Sequence, residues 1–153
     1  MMQKDKSRKP VLIKENIVLD CKAVTPEEAI IHAGELLLRS GYIKSGYISG
    51  MLSRDENFSV YLGNMLAIAH GEKGVRDQIL GTGMSVLICP DGIDWHGNLV
   101  KIVMGLAAIG DEHMELLMHC ANIFSDRERV ERLVRCRDRD RDRDRVYRMF
   151  GGI

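Results

Sequence analysis

The sequence predicts an α/β (α+β) chain in which one β-sheet lies between helices on both of its faces. Three observations predict this. Short apolar runs with strand character occupy the middle of the chain, at Leu66 to Ala69, Met84 to Cys89 and Val100 to Ala107. Segments with helical periodicity stand before and after them. The run VKIVMGLAA is almost wholly apolar, as a central strand covered on both faces has to be. With 153 residues, 45 % of them apolar and 29 % charged, the chain can build one core of ordinary size and reads as a single domain.

Taken in order, residues 1–10 read as a flexible arm and residues 11–153 as the folded unit. Asn16 to Leu19 suits a short strand. Thr25-Pro26-Glu27-Glu28 is a helix start, with Thr as cap, Pro in the first turn and Glu28 where a capping box wants it. Ala29, Ile30, Ala33, Leu36 and Leu37 then mark one helical face, which Ser40-Gly41 ends. A second helix is predicted over 44–55, weakened by Gly46 and Gly50. Leu66 to Ala69 stops at His70-Gly71. The strand Met84 to Cys89 is predicted to close at the turn signal Pro90-Asp91-Gly92. Ile93 to Trp95 and Val100 to Ala107, flanking His96-Gly97-Asn98, suit a hairpin. A helix over 112–124 is predicted to present Met114, Leu117, Cys120/Ala121 and Phe124, and Ser125-Asp126 caps another through Val130, Leu133 and Val134. Arg137 to Arg145 is a strict Arg-Asp alternation in which attractive and repulsive helical neighbours roughly cancel, so it reads as a solvated helix or spacer. Val146, Tyr147, Met149 and Phe150 can tether the chain end to the body.

The 22 cations and 22 anions balance, which argues against a general nucleic-acid binder. The balance is uneven along the chain. Residues 15–126 carry seven cations and 15 acids, while both ends are basic. The longest apolar stretch, Val100 to Ile109, contains Lys101 and has about half the span a bilayer needs, so no membrane insertion is expected. The start of the chain lacks an apolar run of secretory-signal length. Cys21, Cys89, Cys120 and Cys136 form neither a zinc pattern nor a disulfide frame. Cys89 and Cys120 read as buried small hydrophobes, and reduced thiols point to the cytoplasm.

Chemistry is sought first among the five histidines. His32 and His119 read as packing or surface residues, and His96 as a solvated turn residue. His70 stands at the end of an apolar strand before a glycine, where a partner backbone can come close. Pattern alone leaves two roles open for it, structural or nucleophilic. His113 lies beside Asp111 and Glu112 at a predicted helix start, where backbone N–H groups favour an anion, or where it is simply exposed. No metal-ligand spacing, nucleotide-binding glycine loop or nucleophile elbow is present, so neither a metal nor another cofactor is expected.

The stretch Tyr61-Leu62-Gly63-Asn64-Met65-Leu66-Ala67-Ile68-Ala69-His70-Gly71 resembles the phospho-acceptor segment of enzyme IIA components of the mannitol/fructose type, from the bacterial phosphoenolpyruvate-dependent sugar phosphotransferase system. In that family a Y-L-G stretch leads to an apolar strand and a P-H-G or P-H-A motif. Here Ala69 replaces the proline, which leaves the nucleophile intact. Further blocks match in order: Gly41-Tyr42-Ile43, Tyr47 and Met51-Leu52-Ser53-Arg54-Asp55, then Val75-Arg76-Asp77-Gln78-Ile79-Leu80-Gly81-Thr82-Gly83-Met84, then Gly92-Ile93-Asp94-Trp95 and Asp111-Glu112-His113. The resemblance covers about residues 12–136 and is closest to the mannitol branch.

The resemblance implies a mixed β-sheet sandwiched between helical layers. It implies that His70 takes a phosphoryl group from the histidine-containing phosphocarrier protein and passes it to a cysteine of enzyme IIB for mannitol uptake. His113 and Arg54 would stabilise the phosphoryl oxygens. A neutral imidazole is a competent nucleophile at cytoplasmic pH, and the transferred group needs positioning and charge stabilisation above all. The alternative is a regulatory enzyme IIA-like module whose phosphorylation state controls transcription or transport through protein binding. Onward transfer to enzyme IIB separates the two.

Overall fold

The computed structural model describes residues 9–136 and 141–150. Most of the predicted arm, residues 1–8, and the first part of the Arg-Asp tract, 137–140, lie outside the described residues. The end of the arm, Lys9 and Pro10, is fastened to the body. Lys9 Nζ donates to the Ser40 carbonyl at 2.7 Å, and the Tyr42 hydroxyl donates to the Pro10 carbonyl.

The sheet has five strands: β1 (Ile17–Val18), β2 (Tyr61–Gly63), β3 (Leu66–His70), β4 (Gly83–Trp95) and β5 (Asn98–Ala107). Their order is β1-β4-β5-β3-β2. β1 runs parallel to β4 and β3 parallel to β5, whereas β4–β5 and β2–β3 are antiparallel, so the sheet is mixed. Helices α1 (Pro26–Arg39) and α2 (Gly46–Asn57) cover one face. Helices α3 (Glu112–Phe124), α4 (Arg127–Val134) and α5 (Arg141–Met149) cover the other.

Strand periodicity distributes the central residues between two cores. Leu66, Ile68, Val86, Ile102 and Met104 pack on the α3–α5 side. Ala67, Ala69, Leu87 and Val103 pack on the α1–α2 side. This two-sided burial is why β5 reads as one unbroken apolar run. Helix α1 begins as its sequence demands. Thr25 Oγ1 accepts from the Glu28 N–H at 3.1 Å, and Glu28 Oε2 accepts from the Val24 N–H at 3.1 Å, a cap of about 1 kcal/mol.

Four sequence expectations need correction. Pro90-Asp91-Gly92 does not end a strand. β4 continues through it, and a bulge between the pairs Ile88↔Ile102 and Ile93↔Val100 absorbs the extra residues. The turn chemistry is used, with Gly92 at φ +82°, but flanking pairs on both sides hold the strand together. The hairpin itself closes at His96-Gly97, both with positive φ. Tyr61–Gly63 forms a strand where no element was expected. The buried face of α3 is Leu116, Cys120, Ile123 and Phe124, with Leu117 partly buried beside it, while Met114 is 61 % exposed, because the helix turns it into an open cleft and not beneath the sheet. The Arg-Asp tract is not wholly solvated either. Within its described part, α5 buries Asp142, and Val146 and Phe150 follow into the core as the expected tether.

Candidate functional site

His70 is the last residue of β3, paired with Leu106 of β5. The two-residue period turns its ring to the same face as Leu66 and Ile68, toward α3. Its Nδ1 lies 2.9 Å from the Ile68 carbonyl oxygen. A carbonyl only accepts, so Nδ1 carries the proton and the free lone pair sits on Nε2. Burial pushes the His70 pKa down, the Ile68 carbonyl opposes this, and the positive fields of His113 and Arg54 add to the depression.

His113 stands in the first turn of α3. Its ring meets that of His70 with centroids 5.0 Å apart and planes at 62°. Burial, then Arg76, then Arg54 lower its pKa. The start of α3 is anchored through Thr82, whose hydroxyl accepts from the Ile109 N–H at 3.1 Å and donates to the Glu112 carboxylate. Both rings line an open cleft of about 740 Å³, bordered by Arg54, Arg76, Lys73 and Asp111. The structure therefore brings His70, His113 and Arg54 to one cleft.

Arg54, near the C-terminal end of α2, is held by its own surroundings. Its Nη1 donates to the Phe58 carbonyl, and its guanidinium lies 5.5 Å from the centre of the Phe58 ring. The next residue, Asp55, is a buried carboxylate. It accepts from the Val60 N–H at 3.0 Å and the Trp95 indole at 2.8 Å, and its other oxygen is 2.8 Å from His96 Nε2. His96 keeps the exposed turn position expected of it, and its ring also bonds to this buried acid. Its position at a positive-φ turn brings the ring back over α2.

Sequence reasoning gave no role to two residues here. The Tyr47 hydroxyl accepts from the Gly71 N–H at 2.8 Å and donates to the Leu106 carbonyl at 2.8 Å. It clamps the backbone on both sides of the His70 pairing site. Arg76 lines the same cleft as Arg54. Both residues lie inside the blocks that carry the family resemblance, which was the available signal. His32 packs as expected, with Nδ1 3.6 Å from the Cys21 thiol, and His119 is exposed on α3. Among the described residues no group of three His, Cys, Asp or Glu side chains could hold a metal ion. Nor is any described helix long and apolar enough to cross a membrane.

Comparison with known proteins bears on the family and the fold. Residues 10–145 match the family described as "Phosphoenolpyruvate-dependent sugar phosphotransferase system, EIIA 2". A mannitol-specific phosphotransferase enzyme IIA component of Halalkalibacterium halodurans is 43 % identical over 124 residues, covering 81 % of this chain and 86 % of the relative. The crystal structure of IIA mannitol from Escherichia coli superposes with a TM-score of 0.80 at 33 % identity, covering 89 % of this chain and 96 % of that one. The enzyme IIA in the E. coli complex of mannitol enzyme IIA with phosphorylated enzyme IIB has a TM-score of 0.82 at 32 % identity, covering 91 % and 96 %.

Proposed function

The chain belongs to the EIIA 2 family of the phosphoenolpyruvate-dependent sugar phosphotransferase system, and from that premise we propose that His70 is its phospho-acceptor in a relay serving mannitol uptake. The phosphoryl donor is the histidine-containing phosphocarrier protein and the acceptor is a cysteine of enzyme IIB. The observation that carries this reading is the His70 ring itself. Its Nδ1 is tied to the Ile68 carbonyl at 2.9 Å, which frees Nε2 at an open cleft beside His113.

The Nε2 lone pair forms a bond to phosphorus as the P–N bond to the carrier imidazole breaks, and that electron pair returns to the carrier ring. Both nitrogens of His70 are then substituted, so the ring carries positive charge. The Ile68 carbonyl, accepting from Nδ1–H, stabilises that charge. The cationic ring is also a good leaving group. When the enzyme IIB thiolate attacks phosphorus, the Nε2–P bond breaks and the ring returns to neutral. His113 donates a hydrogen bond to a phosphoryl oxygen, and Arg54 supplies positive charge from the α2 side. The fold does the rest by orientation, since strand pairing and the Tyr47 clamp hold the nucleophile in one place.

The acidic body of the chain suits a basic carrier surface. The four free cysteines suit the cytoplasm, where such a relay would run. The test is reconstitution with phosphoenolpyruvate, the two general phosphotransferase proteins and a mannitol enzyme IIB. We expect one acid-labile phosphoryl group on His70 by mass spectrometry, discharged onto the enzyme IIB cysteine. Labelling elsewhere would reject the assignment of the acceptor. Labelling of His70 without discharge to any enzyme IIB would point to the regulatory alternative.

A further inference from the structure

Two arginines border the cleft, and they are held in different ways. Arg54 is engaged on the His70 side, through the Phe58 carbonyl and ring. Arg76 lines the same cleft from the short 3-10 segment Lys73–Gln78 that follows His70-Gly71. Its placement has a mechanical cause. The Val75 side chain fills the space left by two glycines. A Cβ on Gly50 would come within 2.4 Å of it, and one on Gly71 within 2.7 Å. Val75 is thereby wedged between α2 and the segment leaving β3. At the far end Ile79 bridges to Ile43, and the Gln78 carbonyl accepts from the Lys44 N–H at 2.8 Å. With the segment held at both ends in this way, Arg76 is left exposed on the cleft wall.

Its guanidinium has no carboxylate partner among the described residues. Of the two arginines, Arg76 acts the more strongly on His113, while His70 responds to Arg54. Arg54 thus acts on both rings, and Arg76 adds to it at His113. A phosphoryl group on His70 brings close to two negative charges into a cleft whose second ring, His113, has its pKa lowered by burial. Arg54 already spends part of its fork on Phe58, whereas the fork of Arg76 is free to make paired N–H contacts with phosphoryl oxygens.

We propose that Arg76 is a second phosphoryl ligand, closing over the group on His70 from the His113 side. This rests on the reading of His70 as acceptor. Arg76 contributes to phosphoryl binding only in the phosphorylated state and in the transfer itself; in the free protein it acts only on the His113 ring.

The experiment compares wild type with Arg76→Gln, Arg76→Lys and Arg54→Gln in the reconstituted relay. Because Arg76 is exposed, its variants keep the fold, which thermal unfolding checks. Arg76→Gln should lower kcat for discharge to enzyme IIB by roughly ten- to a hundredfold, the scale of one lost charge-assisted hydrogen bond. Arg76→Lys should recover part of that loss, as a point charge without the fork. By NMR, the Arg76 Nε–H resonance of wild type should move on phosphorylation. In the unphosphorylated Arg76→Gln protein the His113 ring should titrate higher than in wild type. A wild-type kcat with only a raised KM would mean that Arg76 merely steers docking, and would overturn the proposal. So would an Arg76 resonance that ignores phosphorylation. If wild type itself takes no label on His70, the reading of the acceptor fails and this inference with it. If wild type is labelled and Arg76→Gln is unaffected, this inference alone is lost.

Discussion

The two walls of the cleft hold their histidines in opposite ways. His70 ends a strand whose five residues are all paired with β5, and its Nδ1 is tied to the chain two residues earlier. Tyr47 pins the backbone on both sides of it. His113 rides on the first turn of a helix, beside a loop, and its ring has no hydrogen-bond partner among the described residues. One ring is built for a fixed line of attack. The other keeps both nitrogens available to a group that arrives and leaves. A relay between two partner proteins needs both properties: one nucleophile whose aim does not drift, and one donor that can follow the phosphoryl oxygens as the group moves.

The sharpest way to break this comparison is to remove each ring in turn. His70→Ala should abolish acceptance of the phosphoryl group altogether, while His113→Ala should still be labelled at His70, with transfer slowed by roughly a hundredfold, the scale for losing one preorganised donor. Rates are read by quench-flow with labelled phosphoenolpyruvate. Equal loss in both variants would mean that the rings share the nucleophilic role.

Removing the clamp is the next largest test. Tyr47→Phe leaves the Gly71 N–H and Leu106 carbonyl without their partner. This should cost about 1–3 kcal/mol in chemical denaturation. Acceptance should also slow, through kcat and not KM, as the wall that aims His70 loosens. An unchanged kcat would show that strand pairing alone sets the aim.

A pH profile sharpens the same contrast. The neutral ring is the nucleophile, and burial sets the His70 pKa below the ordinary 6.5. Acceptance should therefore stay near its plateau as pH falls through 6.5, and be lost only below that. Linkage has the same sign. The unfolded chain binds the proton more tightly, so His70 adds stability above pH 6.5 that is lost as pH drops through the folded value. An inflection above 6.5 would show that a cation-stabilising partner outweighs burial.

The smallest effect is expected far from both walls. Thr25→Ala should lower stability by about 1 kcal/mol through the lost cap of α1, a shift of roughly 2–4 °C in Tm, with phosphoryl transfer unchanged. A change in transfer rate would mean that the α1 layer bears on the cleft more than its packing indicates.

Much of this was legible from sequence because it depends on neighbours along the chain. The Thr25 cap, the Ala29–Leu37 face, the two-sided apolar run of β5 and the Asp126 cap of α4 are all local patterns, and the structure keeps them. The errors share one cause. Pro90-Asp91-Gly92 carries every signal of a turn, yet pairing with β5 before and after it makes a bulge cheaper than a break. Met114 repeats at helical spacing with Leu117, but periodicity does not say how far round a helix the buried face reaches, and Met114 is left exposed. Cys120 and Phe124 are buried as expected, and Leu116 and Ile123 join them in the core. His96 is exposed in its turn as expected, but its bond to Asp55 was not legible, because that buried acid lies 41 residues away.

By itself the sequence determined the ladder of elements, the apolar residues that make both cores and, through ordered motif blocks, the family and the identity of His70, His113 and Arg54 as residues to examine. Only the tertiary structure decided which nitrogen of His70 is free, how near His113 stands, that Asp55 holds Trp95 and His96, and that Arg76 faces the cleft unpaired. The reason is one of range. Capping, periodicity and turn preference act over a few residues, so they are written in consecutive letters. Tautomer, pKa and charge pairing depend on groups brought within a few ångströms by folding, and no local pattern encodes that approach.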